Sequence, residues 1–346
     1  MSEWKKYKLG DVITFQRGHD LTRIAMREGR YPVAGSNGII GFHNAFTVKA
    51  PGVTIGRSGN IGTPHYYKSD YWAHNTVLFV KDFKLTEPLF IYYYLKTIDF
   101  TQFNAGSSVP TLNRNHIHEL EIKLPVSTEQ TAIAEVLSSL DDKIDLLHRQ
   151  NKTLEQLAET LFRQWFVEDA EERWKDGRVL DLFKLQRGFD LPSQGRIEGK
   201  YPIVTSSGVN GTHNEYRIKG PGVTTGRSGL LGNVFYIDED FWPLNTSLFI
   251  NEYKIAKPLF AYFLLKTLDV ASLNGGSAVP TLNRNDVHQL NIKIPPKELV
   301  DTFEASADTY FQKIKSNTNQ IQTLIKLRDT LLPKLMSGEV WVEMKK

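Results

Sequence analysis

The sequence predicts an α+β protein of two pseudo-symmetric mixed α/β domains separated by two long antiparallel coiled-coil helices. Two observations support this fold class. Sequence motifs return after a constant interval of 170 residues, and each copy is followed by a long glycine-free stretch with a heptad repeat of apolar residues. The repeated motifs are YPVAGSNG from Tyr31 and YPIVTSSG from Tyr201, GVTIGRSG from Gly52 and GVTTGRSG from Gly222, and VPTLNRN from Val109 and from Val279.

The repeat also predicts the domain boundaries. The copies align without a gap from Gln16 and Gln186 to Pro125 and Pro295, and roughly half of these positions are identical. We therefore expect the first globular domain at residues 1–126 and the first helix at 127–168. The second domain and the second helix with its tail follow at 169–296 and 297–346.

Composition limits the possible protein classes. The chain has 346 residues, 42 Lys and Arg against 39 Asp and Glu, a net charge of +3 and no cysteine. The missing cysteines exclude disulfides, thiolate metal sites and cysteine nucleophiles. The opening residues contain no apolar stretch typical of a signal peptide, and the sequence contains no run of eighteen apolar residues, so we expect neither a signal peptide nor a membrane span. We therefore expect a cytoplasmic location and no membrane partner.

Within each copy, short strands and helices alternate. Thr76–Val80 and Ser247–Ile250 are apolar runs between turn residues and predict strands. The segments from Pro88 and from Pro258 predict helices with proline in the first turn. Glycine-rich turns are expected at GRSG and at GSSVP and GSAVP, and Ser127 with Gln130 has the spacing of a capping box for the first long helix.

The two long helices predict one particular register. Each heptad seam contains one asparagine, and pairing Asn151 with Asn317 antiparallel gives residue numbers that sum to 468. This register pairs Leu154 with Ile314, Leu147 with Ile321, Ile144 with Leu324, Ala158 with Tyr310, Leu161 with Ala307, and Trp165 with Phe303. Such helices would be roughly 55 Å long and would hold the two domains at opposite ends. Two-fold related modules whose footprints lie about 34 to 36 Å apart read paired half-sites on DNA. The alternative is two amphipathic helices that pack on their own domains.

This organisation resembles the specificity subunit of type I restriction-modification systems over nearly the whole chain. The helix endings LFRQWFVE (161–168) and RDTLLPKLMSGEV (328–340) are similar to that family's spacer regions, and GRSG and VPTLNRN to its target recognition domains. The resemblance implies a subunit that reads a bipartite sequence in double-stranded DNA. It also implies two adenine methyltransferase subunits and two restriction/translocase subunits as partners. The expected partner-binding residues at the helix endings are Phe162, Trp165, Phe166, Leu332 and Leu335.

Candidate DNA-binding residues lie in the repeated motifs and in the loops beside them. The set is Arg17, Asn37, His43, Asn44, Arg57, Ser58, Asn60 and Arg114 in the first copy, and Arg187, Ser207, His213, Asn214, Arg227, Ser228 and Arg284 in the second. The GRSG arginine suits a phosphate or a guanine edge, and its alternative is a surface turn with an ion-paired arginine. VPTLNRN either maintains the fold by capping a short helix or positions phosphates.

Bases that differ between the half-sites should be read where the copies diverge. These places are Thr22–Arg27 against Pro192–Ile197, Asn37–Phe42 against Ser207–Thr212, and Asn60–His65 against Leu230–Phe235. Drift in solvated loops is the alternative explanation.

No catalytic or metal-binding motif stands out in the sequence. Glu121-Ile122-Lys123 resembles part of a nuclease triplet, but Asn291 replaces the glutamate in the second copy; His116 and His118 lack further metal ligands nearby. We therefore expect a non-catalytic chain without a cofactor, with S-adenosylmethionine, ATP and Mg on partner subunits. The alternatives are a specificity subunit of a related non-type-I modification enzyme, an autonomous nuclease and a scaffold.

Overall fold

The computed structural model describes residues 4–103, 110–172, 174–274 and 280–343. Except for their prolines, the predicted GSSVP and GSAVP turns lie outside these ranges. The chain forms two compact units. Unit 1 comprises the chain up to Leu147 and from Asn319 onward, and unit 2 extends from His148 to Thr318.

The elements that begin in the first copy are nine strands and four helices in the described part of the chain. The strands are β1 (Lys5–Lys8), β2 (Ile13–Arg17), β3 (Tyr31–Gly35), β4 (Gly38–His43), β5 (Gly52–Gly56), β6 (Pro64–Tyr67), β7 (Trp72–Ala73), β8 (Val77–Phe83) and β9 (Glu121–Leu124). The helices are α1 (Leu9–Val12), α2 (Pro88–Leu95), α3 (Arg114–His118) and α4 (Ser127–Arg163). A 3-10 turn at Phe100–Phe103 follows α2, and π-helical residues Gln164–Glu168 continue α4.

The second copy repeats this order. Its strands are β10 (Lys175–Arg178), β11 (Phe183–Arg187), β12 (Tyr201–Thr205), β13 (Gly208–His213), β14 (Gly222–Gly226), β15 (Val234–Ile237), β16 (Trp242–Pro243), β17 (Ser247–Tyr253) and β18 (Asn291–Ile294). Its helices are α5 (Val179–Leu182), α6 (Pro258–Thr267), α7 (Arg284–His288) and α8 (Lys297–Ser337), with a 3-10 turn at Ser193–Gly195. The predicted strands β8 and β17 and the proline-led helices α2 and α6 are confirmed.

Both units use the same sheet topology. Unit 1 has an antiparallel four-stranded sheet in the order β2-β8-β5-β6, a three-stranded sheet β4-β3-β7 and the pair β1-β9. Unit 2 has the equivalent sheets β11-β17-β14-β15, β13-β12-β16 and β10-β18. In each three-stranded sheet one neighbour of the central strand is antiparallel and the other is parallel. The duplication in sequence is therefore a duplication of fold.

The ends of the long helices complete the core of each unit. In unit 1, Ile133 and Leu137 of α4 and Leu335 and Met336 of α8 join the buried cluster around Phe90. In unit 2, the contributions are Ala158 and Phe162 of α4 and Val300, Phe303 and Ala307 of α8. The two long helices also pack against each other, because Ile144 and Leu147 form a separate cluster with Ile321. The ends of the helices therefore pack on the domains, as expected for amphipathic helices. The segments around Ile144 and Ile321 pair with each other, as expected for a coiled coil.

The predicted capping box of α4 does not form. Ser127 is already inside the helix, and the side chain of Gln130 is buried. Its amide nitrogen donates to the carbonyl oxygens of Leu85 (3.2 Å) and Pro125 (3.0 Å), and its oxygen accepts the N–H of Glu87 (3.2 Å). Gln130 is used in this way because the buried backbone groups of the loop before α2 need partners.

Within the described ranges, none of the helices combines the length and the apolar character needed to cross a membrane.

Candidate nucleic-acid interface

The GRSG loop lies against the VPTLNRN segment in both units. The N–H of Leu112 donates to the carbonyl oxygen of Arg57 at 2.8 Å, and Ser58 forms a β-bridge with Thr111. Unit 2 repeats this with Leu282 and Arg227 at 2.8 Å and with Ser228 and Thr281. The two most similar motifs of the repeat therefore hold each other in place.

The glycines of GRSG are required by the shape of this loop. A Cβ at Gly56 would lie 1.8 Å from the carbonyl oxygen of Asn60, and Gly59 has a φ of +82°. The loop therefore turns back tightly on itself. Asn60 is exposed at the turn, where its Oδ1 accepts from Thr63 Oγ1 at 3.3 Å, and Leu230 is 56% exposed at the equivalent position of unit 2.

The arginine of GRSG belongs to a cluster of polar residues, which we call the Arg–Asp–Asn cluster. The cluster consists of two arginines, an aspartate and an asparagine. In unit 1, Arg57 Nη1 donates to the backbone oxygen of Asn75 at 3.2 Å, and Arg17 Nη2 donates to Asp20 Oδ1 at 3.0 Å. The side-chain amide of Asn75 donates to the same Asp20 oxygen and so joins the two arginines. The cluster thus brings together two arginines that lie forty residues apart in the sequence.

Unit 2 contains the same cluster with the same connections. Arg227 donates to the backbone oxygen of Asn245 at 3.2 Å, Arg187 Nη2 lies 3.1 Å from Asp190 Oδ1, and the amide of Asn245 donates to Asp190. The side chains of Arg187 and Asp190 are 48% and 66% exposed, so the ion pair faces solvent. An exposed pair of this kind contributes little to stability. In both units the pair is accessible from solvent, where a ligand can reach it.

The electrostatics of the cluster favour a fixed arginine side chain. Hydrogen bonding from Asn75 and the charge of Arg17 hold the pKa of Asp20 below its usual range, against the effect of desolvation. A carboxylate that stays ionised orients Arg17 and leaves its other guanidinium N–H groups free for phosphate oxygens or base edges. The predicted set of DNA-binding residues lacks the other cluster residues, which are Asp20, Asn75, Asp190 and Asn245. The sequence repeats the aspartate and the asparagine after 170 residues, and this was the signal that could have found them.

The structure gives His43 and His213 a structural role. Both rings are buried, and their Nδ1 atoms accept the backbone N–H of Arg27 (3.0 Å) and of Ile197 (3.1 Å). Each ring also packs edge-on against a tryptophan, at 5.2 Å and 5.1 Å between centroids. These histidines hold the loop before β3 or β12 in place rather than offering a side chain to DNA. The neighbouring Asn44 and Asn214 are exposed.

VPTLNRN caps a short helix, as its fold-maintaining interpretation predicted. Asn113 Oδ1 accepts the N–H of Asn115 at 3.0 Å at the start of α3, and Asn283 does the same for α7. Arg114 and Arg284 follow as the first helical residues and are exposed. The cap therefore sets the direction in which these arginines leave the backbone.

The histidine at the end of each of these short helices also maintains the fold. His118 Nε2 accepts the N–H of Phe15 at 3.0 Å, and His288 Nε2 accepts that of Leu185 at 2.8 Å. Both strand residues lie at β-bulges, where the ladder leaves an N–H unpaired. Burial lowers the pKa of both histidines, which keeps the accepting nitrogen unprotonated at neutral pH.

The hairpins β3–β4 and β12–β13 carry the remaining predicted residues. Asn37 and Ser207 are exposed at the hairpin turns. In unit 2, Ser207 lines an open cleft of about 380 Å³ together with Asp190 and Asn245 of the Arg–Asp–Asn cluster. The divergent hairpin and the repeated cluster therefore meet at one surface.

The structure buries two of the five expected partner-binding residues and leaves the other three half-buried. Phe162 is fully buried in the core of unit 2, where its ring lies 5.5 Å from those of Phe260 and Phe303. Leu335 is 2% exposed in the core of unit 1. Trp165, Phe166 and Leu332 are half-buried against the same cores. The apolar character of the helix endings is therefore explained by the packing of each unit.

The predicted register of the asparagines is found in unit 2. Asn317 is buried, and its Nδ2 donates to Asn151 Oδ1 at 2.9 Å. Trp165 packs against Phe303 at 6.3 Å between ring centroids, as the same register requires. The amide pair is not reciprocal, because Asn151 Nδ2 lies instead 3.4 Å from Thr318 Oγ1.

The comparison with known families agrees with this architecture. The family model described as "Type I restriction modification DNA specificity domain" matches the chain twice, at residues 1–156 and 171–326. The chain belongs to this family. Two matches of this length account for both copies of the repeat.

Proteins with similar sequences are named as specificity subunits of type I restriction enzymes. The chain is 28% identical over 304 residues to the type I restriction enzyme MjaIX specificity subunit of Methanocaldococcus jannaschii, which covers 73% of this chain and 69% of that protein. It is 21% identical over 356 residues to the HindI specificity subunit of Haemophilus influenzae, covering 73% and 77%. The crystal structure of a type I restriction-modification S subunit from M. genitalium has a TM-score of 0.69 at 19% identity and covers 99% of this chain and 97% of that chain. This last likeness concerns the fold.

Proposed function

We propose that the chain is the non-catalytic, sequence-specific DNA-binding subunit of a type I restriction-modification complex and reads a bipartite target with one unit on each half-site. The observation that carries the proposal is the Arg–Asp–Asn cluster, which occurs with the same connections in both units. Each cluster lies beside a hairpin whose sequence differs between the copies. Repeated contacts position the two units on DNA, and divergent contacts distinguish the bases.

The chemistry of the cluster supports DNA as the ligand. Arg17 and Arg57 each make one hydrogen bond within the cluster, which leaves other N–H groups of their planar guanidinium ends for phosphate or guanine. Arg114 adds an exposed positive charge from the segment that holds the GRSG loop. Three arginines converge on one loop system from β2, β5 and α3, and this arrangement suits a polyanion better than a small neutral ligand.

The chain in this proposal directs the chemistry of other subunits. Two adenine methyltransferase subunits would carry S-adenosylmethionine, and two restriction/translocase subunits would carry ATP and Mg. The family membership supports an assembly of this kind. Because Phe162 and Leu335 are buried in the cores, partner subunits would dock on more exposed side chains of the same segments, such as Arg163 and Val167.

Substitution of the GRSG arginines tests the proposal. Binding of the complete methyltransferase complex to its genomic target is compared for wild type, Arg57→Ala, Arg227→Ala and the double variant. A bidentate base contact is worth about 1 to 3 kcal/mol, so each single variant should bind the target about 5 to 150 times more weakly. Arg149→Ala, an exposed arginine in the middle of α4 and away from the helix endings, is the matched control and should bind normally.

The pattern of the loss identifies the kind of contact. A base contact relaxes sequence preference in one half-site, whereas a phosphate contact weakens all sequences alike and lowers the salt slope by about one. Wild-type affinity of the double variant would contradict the proposal. Metal-dependent DNA cleavage by the purified chain would favour an autonomous nuclease instead.

A further inference from the structure

The hairpin beside each Arg–Asp–Asn cluster contains a β-bulge. In unit 1 the pairing passes from Val33 with Gly41 to Ala34 with Ile39, so Ile40 is the extra residue. In unit 2 the same irregularity lies between Pro202, which pairs with Thr212, and Val204, which pairs with Val209. A bulge turns one side chain out of the regular alternation of the strand and is a common device at functional sites.

In unit 2 the bulge faces the cluster across the open cleft. Asn210 and Arg196 line this cleft together with Asp190 and Asn245. Arg196 is steadied by a hydrogen bond from its Nε to the carbonyl oxygen of Leu191 at 3.4 Å. Both Arg196 and Asn210 are hydrogen-bond donors, so this side of the cleft is polar.

The equivalent positions of unit 1 are apolar. Residue numbers smaller by 170 place Ile40 where unit 2 has Asn210 and Met26 where it has Arg196. Ile40 is 49% exposed, and its Cγ2 would lie 2.6 Å from a Cβ at Gly35. The sulfur of Met26 would lie 2.7 Å from a Cβ at Gly41. Both side chains therefore occupy space that a Cβ atom at Gly35 or Gly41 would need, so this packing requires glycine at these two positions.

A third position changes together with these two. Where unit 1 has Gly35 beneath Ile40, unit 2 has Thr205, whose hydroxyl donates to the carbonyl oxygen of Gly208 at 2.9 Å. The threonine and the isoleucine would compete for the same space. Gly35 with Ile40 and Thr205 with Asn210 are thus alternative packings of the hairpin, and independent drift at single exposed positions does not explain why these two positions fit each other.

We propose that these three positions determine which base each unit accepts next to the bases contacted by the Arg–Asp–Asn cluster. The apolar side chains of Met26 and Ile40 in unit 1 accept the methyl group of a thymine in the major groove. The polar wall of unit 2 accepts a guanine, with Arg196 donating to its O6 and N7 atoms. This inference rests on the proposed function, because it requires the cluster to face DNA.

The chemistry of base edges supports this assignment. Thymine is the base that presents a methyl group in the major groove, and apolar side chains recognise it by contact. Guanine presents two acceptors, which a guanidinium meets with two N–H donors. Exposed Ile39 and Phe42 extend the apolar surface of unit 1 on the same hairpin, at 56% and 54% exposure. A thymine methyl group suits such apolar side chains by contact.

Exchange of the three positions between the units tests the inference. The variants are Met26→Arg with Gly35→Thr and Ile40→Asn in unit 1, and Arg196→Met with Thr205→Gly and Asn210→Ile in unit 2. Each is produced with the methyltransferase partner, and the methylated sequences are mapped in genomic DNA. We expect one base of the altered half-site to change, from thymine to guanine in unit 1 and from guanine to thymine in unit 2. The other half-site and the spacing should remain the same.

Binding to oligonucleotides that vary each base keeps the test decisive if methylation is lost. A loss of affinity confined to one base position, of about 5- to 150-fold, supports the inference, provided that the variant unfolds thermally like wild type. If the triple variant unfolds early, Arg196→Met alone should remove the guanine preference while Asn210→Ala alone preserves it. The reverse result would overturn the assignment of Arg196.

The outcomes separate this inference from the proposed function. An unchanged target sequence for both exchanges, with wild-type binding that still depends on Arg57 and Arg227, overturns the inference alone. Wild-type protein that binds all DNA sequences equally overturns the proposed function.

Discussion

Replacement of Asn151 by leucine should destabilise unit 2 more than the same replacement of Asn317. Asn317 is 1% exposed, and its Nδ2 has Asn151 Oδ1 as acceptor at 2.9 Å. Asn151→Leu leaves this donor buried without an acceptor, which costs about 1 to 3 kcal/mol. Asn317→Leu instead leaves Asn151, which is only half-buried and lies near Thr318. Water can reach its amide, so the cost should be smaller.

The double variant should regain most of the lost stability. Leucine at both positions removes the unpaired amide and extends the apolar packing of the neighbouring layers. Unit 2 comprises the 171 residues from His148 to Thr318, and in a domain of this size 1 kcal/mol changes Tm by about 2 to 4 °C. Asn151→Leu should therefore lower the Tm of unit 2 by about 2 to 12 °C.

Differential scanning calorimetry of the wild type, both single variants and the double variant measures this order. Additive losses in the double variant, or a larger loss for Asn317→Leu than for Asn151→Leu, would refute the reasoning. A double variant as stable as wild type would agree with it.

Two further predictions concern the fold of the individual units. Acidification below about pH 6.5 should destabilise both units. Burial lowers the pKa of His118 and His288 in the native state, so these two histidines bind protons more readily in the unfolded chain. This contribution is complete above pH 6.5 and is lost as the pH falls; glutamine at both positions should weaken the dependence in thermal unfolding at pH 7.5 and 5.5, whereas His148→Gln on the exposed face of α4 should not. Phe162→Ala should cost unit 2 about 3 to 5 kcal/mol in denaturant unfolding, because a fully buried ring is removed, while Val167→Ala, at a position 52% exposed, should have little effect. Equal effects of these two changes would contradict the interior placement of the helix ending.

The local and periodic features of this protein were determined by its sequence. The 170-residue repeat predicted two copies of one fold, because similar sequences of domain length fold alike. The heptad spacing predicted the pairing of Asn151 with Asn317. A buried amide needs a polar partner, and few registers of the two helices give both asparagines one. Proline at the first turn predicted the starts of α2 and α6 for a similarly local reason.

The role of each repeated polar residue was decided only by the tertiary structure. His43 and Asp20 are equally well repeated, yet one is a buried acceptor and the other is an exposed cluster residue. The sequence places Asp20 and Asn75 far apart, and their contact depends on the turn of β2 and on the strand pairing around β8. Phe162 at the end of α4 likewise could belong to a partner surface or to a core. Duplication preserves structural and functional residues alike, so repetition does not distinguish the two roles. Burial and long-range contacts distinguish them, and these are visible only in the folded chain.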